Sequence, residues 1–190
     1  MPSQIWLVRH GETAWSRSGQ HTSITDLPLT EEGEKRAEAV GRYLAGRSFA
    51  LVLSSPMRRA LDTCRLAGYT AETTTDLMEW NYGAFEGLTS AQIQVTHPGW
   101  TIWNACPDGG ETAQQVAARV DRVIERAVAA AVSGGDTALF AHGHVLRVLA
   151  ARWLGLEPDG GRMLELSTGS VSVLGYEREA RVVSLWNRRD

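Results

Sequence analysis

Apolar residues in this chain fall into short, nearly continuous runs separated by longer stretches of helical spacing. Residues 5–8, 49–53 and 137–141 are such runs, each ended by a polar corner, and they predict buried strands. Between them Ala37, Val40, Gly41 and Leu44 recur at helical spacing. Thr30 stands before them as N-cap, with Glu31, Glu32 and Glu34 in the first turn, so a helix is predicted from 30 to about 46. Pro56 suits the first turn of a second helix running to about 67. A short helix is read at 89–96, another at 145–154, and the longest at 111–132 on the stripe Val116, Val120, Val123, Ala127 and Val128. Thr-rich residues 69–76 read as an edge-like strand, and 163–166, 170–176 and 181–186 as C-terminal strands. Residues 16–28, 77–87, 98–110 and 155–161 read as loops or turns. Strands alternating with helices over 190 residues predict one α/β domain, 1–190, with a mainly parallel sheet and an antiparallel edge from the C-terminal hairpin.

Two of the apolar runs end alike. The first stops at Arg9-His10-Gly11 and the other at His142-Gly143-His144. Open α/β sheets hold ligands at the C-terminal ends of their strands, so the two His-Gly corners suggest one site built from two strand ends. Gly11 lets the backbone turn sharply and approach whatever His10 meets. Arg59 falls in the opening turn of a helix, where free N–H groups attract anions, whereas its neighbour Arg58 reads as a solvated helix residue. Arg9, His10, His21, Arg59, Glu79 and His142 together describe a pocket for a dianion with acid–base capability, because the planar guanidinium donates two parallel hydrogen bonds to phosphate. Neither a Gly-x-x-x-x-Gly-Lys loop nor a dinucleotide glycine fingerprint accompanies the first strand, so no cofactor is expected.

Composition narrows the partners. A net charge of −3 argues against nucleic acid and anionic membrane surfaces. Cys64 and Cys106 are too few for a disulfide scaffold and suit a reducing compartment. With no apolar run near the roughly 18 residues that cross a bilayer, a soluble cytoplasmic protein is expected.

The stretch Leu7-Val8-Arg9-His10-Gly11-Glu12-Thr13-x-Trp15 resembles the signature of the histidine phosphatase superfamily, the phosphoglycerate mutase-like proteins. Further blocks follow in that family's order: Leu29-Thr30-Glu31-x-Gly33, Ser54-Ser55-Pro56-x-x-Arg59-Ala60-x-x-Thr63, Glu79-x-x-Tyr82-Gly83-x-x-Glu86-Gly87, and His142-Gly143. The resemblance implies a three-layer α/β/α sandwich, a phosphohistidine intermediate and no metal. It makes His10 the nucleophile, gives Arg9, Arg59 and His142 the phosphoryl oxygens, and makes Glu79 the proton donor to the leaving oxygen, with Glu86 as its competitor. Gly143, His21 and Thr22 complete the expected substrate contacts. Each role has a physical basis: neutral imidazole is a competent nucleophile, preplaced cations stabilise a transferring phosphoryl group, and one carboxyl can serve first as acid and then as base.

The chain departs from the family's mutases. Ser16 follows Trp15 where they carry Asn, and Thr22-Ser23-Ile24 replaces their Thr-Gly-Trp. No Lys or Arg occurs between Arg65 and Arg119, while Trp80, Tyr82, Phe85, Trp100 and Trp103 crowd the segment after Glu79. The expected activity is therefore a broad-specificity, metal-independent phosphomonoesterase for small phosphorylated metabolites, with an aromatic pocket mouth favouring uncharged or aromatic leaving groups. Phosphoglycerate mutase-type transfer is the alternative within the family and would need arginines from elsewhere, such as Arg17 or Arg162. From the residues alone two other classes stay open. One is a metal-dependent hydrolase on His10, Glu79, His142 and His144, and the other a non-catalytic phosphate-binding module. The expected partner is a small phosphomonoester; self-association is open, with a homodimer as one expectation.

Overall fold

The runs read as strands are continuous in apolar character because both faces of the sheet are covered. The structure, a computed structural model, describes residues 3–132 and 134–189. In chain order its elements are β1 (Ile5–Arg9), α1 (Ala14–Ser18), α2 (Glu31–Leu44), β2 (Phe49–Ser54), α3 (Arg58–Leu66), β3 (Glu72–Thr73), α4 (Ser90–Thr96), α5 (Ala113–Val132), β4 (Asp136–Ala141), α6 (Gly143–Trp153), β5 (Val171–Glu177) and β6 (Ala180–Arg188). The strands form one sheet in the order β3-β2-β4-β1-β5-β6. The first four are mutually parallel, and β5 and β6 are antiparallel to their neighbours. Alternation along each strand divides the core in two. Ile5 and Leu7, with Leu53 and Leu139, pack under Val116, Val120, Val145 and Leu149 of α5 and α6. Trp6 and Val8, with Ala138 and Phe140, pack under Val40, Leu44 and Cys64 of α2 and α3. The result is the expected three-layer α/β/α sandwich.

The chain leaves β1 through a close backbone contact. Thr30 caps α2 by accepting from the Gly33 N–H, and its own N–H donates to the Glu12 carbonyl at 2.9 Å. A Cβ on Gly33 would lie 2.2 Å from the Glu12 carbonyl oxygen, and one on Gly11 would lie 2.3 Å from the Gly33 carbonyl oxygen. Both glycines are therefore required by proximity alone. Thr63 adds a tether from α3, accepting from the Gly11 N–H at 3.0 Å and donating to the Arg59 carbonyl at 2.7 Å.

Several boundaries differ from the sequence expectation. Of residues 69–76 only Glu72–Thr73 pairs with β2; Thr74 then caps a 3-10 turn, Thr75–Leu77, since threonine hydroxyls compete well for backbone groups. Residues 163–166 are not a strand. A 3-10 helix, Pro158–Met163, ends there, and the carbonyls of Glu165 and Leu166 accept from Trp186 Nε1 and Arg9 Nη1 rather than from a neighbouring strand. Helix α3 starts two residues past Pro56, after a bend in which the Met57 N–H donates to Ser55 Oγ at 3.3 Å. The loop read at 16–28 begins inside α1, whose capping box pairs Thr13 with Ser16. Among the described residues no helix is long and apolar enough to cross a membrane.

Candidate active site

β1 and β4 lie side by side in parallel register, with Arg9 opposite Ala141. The next residue of each strand is a histidine, so His10 and His142 meet at one level, their ring centroids 5.1 Å apart. His10 is buried, and its Nδ1 lies 2.7 Å from the Gly11 carbonyl, which can only accept. Nδ1 therefore carries the proton and Nε2 keeps its lone pair. Burial, then the charges of Arg9 and Arg59, lower the His10 pKa well below 6.5, so the imidazole is neutral near pH 7.

His142 is fully buried behind it. Arg59 Nε donates to His142 Nδ1 at 3.1 Å, which leaves the proton on Nε2 to donate to Ser55 Oγ at 2.8 Å. Burial first and Arg59 second hold this histidine neutral as well. The rest of the Arg59 guanidinium faces a loop. It donates to the carbonyls of Thr25 and Ser23, each at 3.0 Å, and of Thr22 at 3.3 Å. Glu86 holds the same loop by its N–H groups, accepting from Ser23 at 2.9 Å and Thr25 at 3.0 Å. It is a loop anchor, not a wall of the cleft.

Arg9 reaches over the start of α6. Its Nη1 donates to the Leu166 carbonyl, while its Nε is buried with no hydrogen-bond partner among the described residues. A Cβ on Gly143 would sit 3.2 Å from the Arg9 guanidinium carbon, so a side chain there would displace the cation. Glu79 is buried beneath it on the N-terminus of α6. Its Oε1 accepts from the N–H groups of Trp80 and Val145, both at 2.9 Å, and its Oε2 from His144 N–H at 3.0 Å. Three donors fix the carboxylate in one orientation.

These groups surround a cleft of about 180 Å³. Of the residues expected from sequence, Arg9, His10, His21, Thr22, Glu79 and Gly143 line it, whereas Arg59 and His142 stand behind His10. The Thr22 hydroxyl turns back to donate to the Gln20 carbonyl at 3.2 Å. Trp80, Trp100 and Trp103 are not part of the lining; its aromatic wall includes Tyr82 and His21, with ring centroids 4.7 Å apart, and His144 beside them. Sequence reasoning missed Gln20 and Arg147 and left His144 open. The stretch between Arg65 and Arg119 supplies no cation, as read from the sequence, but Arg147 of α6 adds one to a mouth expected to be apolar and aromatic. Arg17 lies 3.8 Å from Glu12, Arg162 pairs with Asp159, and neither enters the lining. His144 and Arg147 are three residues apart on α6 and thus share a face, a signal readable only once the helix start is known. Among the described residues no three His, Cys, Asp or Glu side chains converge as a metal site, and both ring nitrogens of His142 are already engaged.

The profile of the histidine phosphatase superfamily (branch 1) matches residues 5–189. An acid phosphatase of Mycobacterium tuberculosis is 38% identical over 96% of this chain and 91% of its own length. A sedoheptulose 1,7-bisphosphatase of Saccharomyces cerevisiae is 35% identical over 79% of this chain and 67% of its own. Phosphoglycerate mutases also occur among the relatives, one from Gloeobacter violaceus at 30% identity over 84% of this chain and 80% of its own. A solved structure of an open reading frame from Mycobacterium tuberculosis superposes with a TM-score of 0.95 at 36% identity, covering 100% of this chain and 99% of that one.

Proposed function

The chain belongs to the histidine phosphatase superfamily and is a phosphatase; from that premise we propose that it hydrolyses small phosphomonoesters through a phosphohistidine at His10, without a metal ion. The observation that carries this reading is the pairing of a neutral His10, its Nε2 lone pair free, with a buried Arg9 Nε that has no acceptor among the described residues. In the first step Nε2 attacks phosphorus, the bond to the leaving oxygen breaks, and a proton from the Glu79 carboxyl goes to that oxygen. In the second, the Glu79 carboxylate takes a proton from water, whose oxygen displaces His10 from phosphorus and releases phosphate. Arg9 grips the phosphoryl group directly. Arg59 and His142 join it by exchanging loop carbonyls and Ser55 for phosphoryl oxygens, and Gly143, His21 and Thr22 contact the substrate from the lining.

Both cysteines are free, in keeping with a cytoplasmic setting. The names of the acid phosphatase and the bisphosphatase relative support hydrolysis over mutase transfer. The test is a panel of phosphomonoesters with and without EDTA. Several should be hydrolysed at rates that survive chelation, and His10→Ala should lower them by at least ~10³-fold while leaving the fold intact. Acid-quench trapping should label His10 with an acid-labile, alkali-stable phosphate. A label on Ser54, Ser55 or Cys64, or loss in EDTA restored by zinc, would contradict the mechanism. Interconversion of 2- and 3-phosphoglycerate faster than hydrolysis would make the protein a mutase.

A further inference from the structure

Glu79 is held from two sides, and only one of them belongs to the cleft. The N-terminus of α6 fixes its carboxylate. Its backbone is held by Arg119 of α5 and by Glu111 just before that helix, neither of which lines the cleft. Arg119 is buried within a turn of Val116 and Val120, so it projects from a helix packed on the sheet. Its Nη1 donates to the carbonyls of Asp76 at 2.8 Å and Met78 at 2.6 Å, ahead of the acid. Its Nε and Nη2 fork onto Glu111, 2.9 Å from Oε1 and 3.0 Å from Oε2. Glu111 carries the grip past the acid. Its Oε2 also accepts from the Asn81 N–H at 2.9 Å, and its carbonyl accepts from Trp80 Nε1 at 2.8 Å. Trp80 is itself one of the donors to the Glu79 carboxylate, so pinning its indole steadies that donor. The two chain segments press together here, for a Cβ on Gly110 would lie 2.7 Å from the Asn81 carbonyl oxygen.

An ion pair taken out of water gains little net stability over apolar side chains of similar volume. This one supplies what apolar residues could not: bonds to the carbonyls of Asp76 and Met78 and to the N–H of Asn81, on both sides of a single reactive carboxyl. Proton transfer needs that carboxyl within hydrogen-bond reach of the leaving oxygen, and a displacement of about 1 Å can cost about 10²-fold in rate. We propose that Arg119 and Glu111 are positioning residues for Glu79, a mount on α5 that keeps its carboxyl aimed at the leaving oxygen while the phosphoryl group passes to His10. This rests on the phosphatase reading above. The pair then matters for substrates whose leaving group needs a proton, and little for those whose leaving group does not.

The experiment compares kcat/KM for glycerol 2-phosphate, whose alkoxide must be protonated as it leaves, with that for p-nitrophenyl phosphate, whose leaving group departs without a proton. Arg119→Met and Glu111→Gln should each lower the first about 10- to 100-fold and the second by no more than about threefold. Arg119→Lys, which keeps the charge and a donor for the Met78 carbonyl, should recover part of the loss. In a Glu79→Gln background, Arg119→Met should cost the alkyl ester no more than it costs p-nitrophenyl phosphate, because the group being positioned is gone. Equal losses on both esters in the single variants, no loss on either, or a full further loss on the alkyl ester in the Glu79→Gln background would overturn the positioning role while leaving the phosphatase reading in place. Where Arg119→Met does not fold, Glu111→Gln and Arg119→Lys carry the same comparison. Failure of all three to fold would reduce the pair to a brace of the fold and overturn the proposal as well. A wild type that hydrolyses neither ester would sink the phosphatase reading, and the proposal with it.

Discussion

His10 owes its chemistry to neighbours that are fixed before any substrate arrives. The Gly11 carbonyl selects the tautomer, and burial with two arginines removes the proton from Nε2. The sign for activity follows. Because the neutral ring is the nucleophile and its folded pKa lies well below 6.5, kcat/KM should hold its plateau down through pH 6.5 and fall only at more acid pH, after correction for ionisation of the substrate. A limb centred at or above 6.5 would show that His10 is not the titrating nucleophile. Glu79 sets a second expectation. Glu79→Gln should cost about 10²–10⁴-fold on an alkyl phosphate, whose leaving oxygen needs a proton, and far less on p-nitrophenyl phosphate. Equal losses on both would return the acid role to another group. At this scale the sequence was most legible where reactive residue types crowd into short motifs, as at Arg9-His10-Gly11. It was silent on Arg147, because an arginine on an amphipathic helix has no meaning until the face it occupies is known.

Between elements, the same motifs prove to be about contact as much as chemistry. The Leu29-Thr30-x-x-Gly33 block carries no cleft residue; it brings the first turn of α2 against the backbone that leaves β1. Gly83 and Gly87 behave alike, with backbone φ of +48° and +79°, and a Cβ on them would meet the Asp108 carbonyl at 2.1 Å and the Trp15 ring at 3.0 Å. Gly33→Ala should therefore destabilise the protein by about 1–3 kcal/mol in urea unfolding and weaken catalysis too, since the displaced backbone abuts Gly11 and so His10. Wild-type stability in that variant would mean that α2 slides without cost. Elements that failed to be read share one property. α1, the 3-10 turn Thr75–Leu77 and the segment after Met163 are decided by side-chain caps and by side chains that donate from far along the chain, which leave no periodic trace in the sequence.

For the molecule as a whole, three neutral histidines, the buried His10 and His142 and the partly buried His144, link folding to acidity. Each has a folded pKa well below 6.5, lowered chiefly by burial, whereas in the unfolded chain each binds a proton near 6.5. Above that value they give no slope. Below it the unfolded state holds more protons, so stability falls as pH falls from about 6.5 toward the folded values. Melting temperatures should accordingly drop between pH 7.5 and pH 5, and the drop should be shallower in His10→Asn. A melting temperature that stays level or rises at pH 5 would show that other groups dominate the linkage.

The order of strands in the sheet differs from their order in the chain, and that difference has a consequence in time. β1, which leaves a ribosome before the other five strands of this sheet, is flanked by β4 and β5, so Ile5 must wait for Thr137 on one side and Leu174 on the other. Until then Trp6, Leu7 and Val8 have no strand to lie against, and a nascent chain carries them exposed for most of its synthesis. His10 exists as a residue long before it exists as part of a site. No fragment that stops short of β4 can set it beside His142, so an interrupted translation yields an inert polypeptide with an unpaired, sticky β1 instead of a partly active enzyme.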